Sequence, residues 1–89
     1  MLFDTGQIVM TPGAHALLSD NPEQGSYLLA RHMVGDWGDD LCMEDVESND
    51  AAVFNEGRIV SSYTVGTDKV WVITEWDRSV TTFLLPDEY

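Results

Sequence analysis

From Arg58 to Leu85 the chain reads as three β-strands whose connections are too short for anything but hairpins. Arg58-Ile59-Val60-Ser61-Ser62-Tyr63-Thr64-Val65 is rich in β-branched residues and bounded by glycines. Gly66-Thr67-Asp68 suits a hairpin loop, and Lys69 to Trp76 forms the next run. Asp77-Arg78 turns the chain into Ser79–Leu85, and Pro86, which cannot donate to a ladder, ends it. Parallel neighbours need a crossover of about a dozen residues or more, so these strands must form an antiparallel meander. In the middle strand Trp71, Ile73 and Glu75 share one face, and Val70, Val72, Thr74 and Trp76 the other. Residues 7–10, Gln-Ile-Val-Met, offer a further strand, giving an antiparallel sheet of three to four strands.

The first half changes to helical spacing. Thr11-Pro12 reads as an N-cap followed by proline at the first helical position, opening a helix that ends near Ser19-Asp20. Asn21-Pro22-Glu23 repeats the signal, and Tyr27, Leu28, Leu29 and Met33 give the second helix an apolar stripe. Gly25 in its first turns costs about 1 kcal/mol against alanine. Gly35-Asp36-Trp37-Gly38-Asp39-Asp40 reads as a loop. A third helix over 42–56 would bury Cys42, Val46, Asn49, Val53 and Phe54, with Gly57 as its stop. Two or three helices packed on the sheet give an α+β domain spanning residues 1–89.

Charge narrows the functional classes. From His32 to Gly57 there is no lysine or arginine, and Asp36, Asp39, Asp40, Glu44, Asp45, Glu47, Asp50 and Glu56 fall within those 26 residues. The chain carries 16 acidic against 4 basic residues, a net charge of −12. Solubility asks for only about 2–8 charges in a small domain, and charge of one sign opposes compaction. The excess points to a basic partner. It argues against direct nucleic-acid binding, which recruits Lys and Arg to phosphates, and against anionic lipid surfaces. With 44 % apolar residues the chain is too hydrophobic for the disordered class. No apolar run approaches the roughly 18 residues needed to span a bilayer. A single cysteine and no signal peptide predict a cytoplasmic, reducing setting. The expected state is a monomer or weak dimer, with an exposed Trp71 or Trp76 face as the sign of dimerisation.

Catalytic and metal constellations are sparse. His32 and Asp36 have the spacing of two ligands on one helical face, but Gly35 interrupts it, so His32 reads as a packing or dipole partner. His15 reads as surface. Asp36, Asp39 and Asp40 lack the rest of a calcium loop. Acidic neighbours disfavour a thiolate at Cys42. Glu75 and Asp77 beside Arg78 form a possible acid/base pair, which reads more simply as a strand end and turn. No cofactor, metal site or catalytic set is expected, and an enzyme using Glu75 or Asp77 is a subordinate alternative. Trp37 has two placements, an exposed binding anchor among carboxylates or a plug for the core.

Several segments occur in an order that resembles a known group: Thr11-Pro12-Gly13-Ala14, Leu28-Leu29-Ala30-Arg31-His32, Gly35-Asp36-Trp37-Gly38, Gly57 to Tyr63, Trp71 to Glu75 and Asp77 to Pro86. This pattern, from Ile8 to Tyr89, is similar to a family of small bacterial proteins of plasmids and integrated elements. Its members carry labels such as plasmid-related protein or restriction-system subunit. Trp76 departs from that family, which more often has a small residue there. In size and charge the chain also resembles the acidic anti-CRISPR inhibitors that imitate DNA. That likeness implies a basic nucleic-acid-binding complex, a CRISPR effector above all, as partner. The expected function is inhibition by electrostatic competition, through Asp36, Trp37, Asp39, Asp40, Glu44, Asp45, Glu47 and Asp50. Glu44, Glu47 and Asp50, about 5–6 Å apart on a helix, would approximate a phosphate row. The alternative is an adaptor or antitoxin-like protein that binds one basic partner through Trp37 and its acidic surround.

Overall fold

The computed structural model describes residues Met1–Tyr89 and orders the chain as β1 (Gln7–Met10), α1 (Pro12–Ser19), α2 (Pro22–Met33), α3 (Met43–Asn55), β2 (Ile59–Val65), β3 (Asp68–Thr74) and β4 (Val80–Leu84). A 3-10 turn, Pro86–Glu88, follows. Thr11 caps α1 as its sequence indicates, with Oγ1 accepting from the Ala14 amide at 3.3 Å. No helix is long and apolar enough to cross a membrane.

The fold is α+β, and its four strands run in the order β1-β4-β3-β2. β2, β3 and β4 form the expected antiparallel meander. β1 does not continue it: Gln7 pairs with Val80 and Met10 with Phe83 in parallel. The sheet is therefore mixed, which corrects the all-antiparallel expectation. The short-connection argument holds only inside the meander. Between β1 and β2 lie three helices, ample chain to return across the sheet. The ends of β1 and β4 are fixed side by side by Gly6, at φ +61°, where a Cβ would sit 2.3 Å from the Ser79 carbonyl oxygen.

α1 and α2 cover the sheet face that carries Tyr63, Val65, Val70, Val72 and Phe83, contributing Ala14, Leu18 and Leu28 to one buried cluster. A second cluster joins Phe3, Trp37, Ala52 and Ile59. α3 lies beside β2. Its Asn49 is buried and grips that strand's edge, accepting from the Val60 amide at 3.0 Å and donating to the Val60 carbonyl at 2.8 Å. A helix set against an edge buries a narrower arc than one lying flat on a sheet. Cys42 precedes the helix as an exposed N-cap, and Phe54, about 100° around from Val53, is 89 % exposed, correcting their placement on the buried stripe, while Ala52 is buried. The stop also differs. Glu56, not Gly57, takes the left-handed conformation at φ 59°. The Arg78 guanidinium donates to the Ala52 and Gly57 carbonyls at 2.7 and 2.6 Å, tying the end of α3 to the β3–β4 turn.

Candidate functional site

The acidic loop is held by backbone before any side chain acts. Gly38 has φ +93°, and a Cβ there would fall 1.7 Å from the Ser62 carbonyl oxygen, so only glycine fits. The neighbouring Trp37 carbonyl accepts from the Ser62 amide at 3.0 Å. This attachment turns the indole inward. Trp37 is 4 % exposed, stacks on Phe3 at 6.2 Å between centroids and meets His32 edge-on at 5.8 Å. Its Nε1 donates to Asp50 Oδ1 at 3.0 Å, the polar partner that a buried indole needs. Trp37 is thus the core plug. Its assignment as a partner-binding anchor, and the adaptor reading built on it, lose their residue.

The seven carboxylates of the expected surface divide into two groups. Asp36 receives Arg31 through two bonds of 2.7 and 3.1 Å. The bonds from Arg31, with the Gly38 amide adding to them, hold the Asp36 carboxyl below the usual carboxylate range. Asp40 pairs with Lys69 and lies 3.5 Å from the Ser62 hydroxyl. Asp50 serves Trp37. Asp39, Glu44, Asp45 and Glu47 are exposed and are in none of the ion pairs.

No cation is left to neutralise them. Arg31 is bound by Asp36 and lies over the Tyr63 ring at 4.7 Å. The Tyr63 hydroxyl donates to the Asp36 carbonyl at 2.5 Å, and burial pushes its pKa up to about 12. Arg58 pairs with Glu75 at 3.4 Å and donates to the Tyr89 hydroxyl at 2.6 Å. Lys69 is held by Asp40 and Thr64. Arg78 is committed to backbone carbonyls. Asp45 faces a groove of about 640 Å³ between α3, β2 and β3, where Trp71 also lies. Glu44 and Glu47, one turn apart, share the outer side of α3 with Phe54.

His32, His15, Glu75 and Asp77 lie away from this acidic surface or are held in internal contacts. His32 is fully buried in a chain of hydroxyls. The Thr5 carbonyl can only accept, so Thr81 donates to it at 2.7 Å and Thr74 donates to Thr81 at 2.7 Å. Thr74 must then accept from His32 Nε2–H at 2.8 Å, leaving Nδ1 to accept from the Ser61 hydroxyl at 2.5 Å. Burial, with Arg78 nearby, lowers the His32 pKa to about 4, so the ring is neutral and not a partner of the helix dipole. His15 is exposed, as expected. Glu75 is paired with Arg58, and Asp77 accepts from the Ser79 hydroxyl at 2.6 Å, a bond that lowers its pKa. Neither lines the groove beside Trp71 or the groove between β1 and α2. No three His, Cys, Asp or Glu side chains gather where a metal ion would need them.

Sequence reasoning missed two residues. Phe54 reads as core from its apolar character, but it lies about 100° around the helix from Val53, on the exposed side. Asn49 sits on the right face, but its role requires knowing that β2 is an edge. No protein-family model, curated protein or solved structure matches the chain.

Proposed function

We propose that this chain is an acidic inhibitor of a nucleic-acid-binding defence complex, competing with DNA through the exposed face of the 35–40 loop and α3. The observation that carries the reading is the commitment of all four cations to internal contacts, which leaves Asp39, Glu44, Asp45 and Glu47 unneutralised. A basic channel that holds DNA offers such carboxylates the partners they lack, and occupying it displaces the same counterions that DNA displaces. The setting on plasmids and integrated elements and the CRISPR effector as target come from the sequence resemblances alone, and the cytoplasmic location from the single cysteine. Asp36, Asp40 and Asp50 support the surface through Arg31, Lys69 and Trp37 rather than presenting free charge.

The test is competition between the protein and fluorescent duplex DNA for a CRISPR effector, read by anisotropy. Replacing Asp39, Glu44, Asp45 and Glu47 together by lysine should abolish competition while leaving the urea midpoint near the wild-type value. A folded variant that competes undiminished sinks the proposal. One observation favours a second reading, an adaptor for a single basic protein: Phe54 is 89 % exposed on the outer side of the acidic helix, where it would be an apolar anchor. In that case Phe54→Ser removes binding and duplex DNA does not compete.

A further inference from the structure

At β1 the sheet is unfinished. The amides of Gln7 and Thr11 donate to the Ser79 and Phe83 carbonyls, each at 3.0 Å. Bonding alternates along a strand, so Ile8 and Met10 turn their amides and carbonyls to the open side, where no other strand lies. The other edge is covered over part of its length, where Asn49 takes both backbone groups of Val60 and the Trp37 carbonyl takes the Ser62 amide.

Register puts Ile8 and Met10 on the helix-bearing face, paired with Thr81 and Phe83. There they border a groove of about 430 Å³, with Leu18, Phe83, Gly25 and Leu29 among the other lining residues. Gly25 is the informative member. It lies inside α2 at a cost of about 1 kcal/mol against alanine. Its φ is not positive, and a Cβ built there meets nothing within 4 Å. Neither backbone geometry nor internal packing requires glycine. Its missing side chain leaves that wall of the groove open.

We infer that the β1 edge and this groove form a strand-addition site for an extended, basic segment of a protein partner. The free backbone groups of Ile8 and Met10 pair with the incoming strand, and its alternate apolar side chains enter the groove beside Gly25. Charge selects the occupant. Exposed Asp4 precedes the strand, and exposed Asp20 and Glu23 adjoin the groove residues Ser19 and Pro22 in sequence. A second copy would bring together two bodies of charge −12, whereas Lys and Arg between the apolar positions gain attraction. The site lies at the sheet edge opposite α3 and does not rest on the inhibitory reading.

The experiment uses the whole protein and a short synthetic peptide of alternating lysine and leucine, followed by amide NMR and hydrogen exchange. Binding should move the resonances of Ile8, Met10 and Gly25 and slow exchange at the Ile8 and Met10 amides about tenfold. Gly25→Leu, whose side chain would occupy the groove, should weaken binding about tenfold while amide resonances away from the groove keep their wild-type positions. So should methylating alternate peptide nitrogens, which keeps the charge and removes the strand hydrogen bonds. Shifts confined to α3 around Glu44 and Glu47 overturn the proposal. Indifference to both modifications does the same. Sedimentation showing a dimer whose Ile8 and Met10 amides are protected without peptide assigns the edge to a second copy and likewise overturns it.

Discussion

Lowering the pH from 7 to 5 should destabilise this protein through His32. In the fold the ring is fully buried against Phe3 and Trp37, between Ser61 and Thr74, with Arg78 as the adverse charge. Its pKa is lowered to about 4, whereas an unfolded histidine titrates near 6.5. Because the folded value is depressed, the contribution is fully present above pH 6.5 and is lost as pH falls towards 4. In that window the unfolded chain takes up a proton that the folded chain refuses, so stability falls by at most about 1.4 kcal/mol per pH unit. Integrated with these two values, the loss between pH 7 and pH 5 is about 2 kcal/mol. A typical small domain has only about 5–15 kcal/mol to lose. Carboxylates generally titrate near pH 4, below most of this range. Urea unfolding followed by tryptophan fluorescence at pH 7, 6 and 5 reads the effect. With a slope of about 1 kcal/mol per molar urea, the midpoint should drop by about 2 M. His32→Gln keeps an amide donor in the chain of hydroxyls but cannot take a proton, so its midpoint should stay nearly level. A level wild-type midpoint, or an equal drop in the variant, refutes the reasoning.

Two further predictions concern the sheet edges and α2. Asn49→Leu should cost about 2 kcal/mol in urea unfolding, because it leaves the Val60 amide and carbonyl without their partner, and it should speed exchange of the Val60 amide. Gly25→Ala should raise stability by about 1 kcal/mol, since helix propensity improves and the new Cβ meets nothing within 4 Å; an unchanged or lower thermal midpoint would show that Gly25 has an internal role.

Local signals in the sequence carry over well where neighbours in the chain are also neighbours in space. Thr11-Pro12 starts α1, Asn21-Pro22 starts α2, and the turns at Gly66-Thr67 and Asp77-Arg78 separate strands that pair in register. The misses are non-local. The direction of β1 depends on its meeting Ser79 across the sheet, and Gly6 marks the contact without naming the partner. The faces of α3 depend on its packing at an edge, so five apolar or neutral positions look like one stripe when only part of that arc is covered. The candidate site was legible as a run of charge. Which carboxylates remain free was not, because Arg31, Lys69 and Trp37 each claim one through contacts that span from 5 to 29 positions along the chain.

The two sheet edges follow opposite logic, and the contrast separates functional exposure from mere incompleteness. An unpaired edge is an aggregation risk that proteins commonly blunt or cover. At β2 this chain covers the Val60 and Ser62 part of the edge with a buried asparagine and the carbonyl of a buried tryptophan. β1 is short, with four residues, and shortness alone limits uncontrolled pairing. Shortness does not explain Gly25. Gly25 lies beside an apolar groove, and a Cβ there would meet nothing within 4 Å. On the two proposals above, the acidic face on α3 and the open edge at β1 make separable demands on a partner, charge at one end of the sheet and backbone pairing at the other. Variants at Glu44 or Glu47 and at Gly25 can remove either without disturbing the core that joins them.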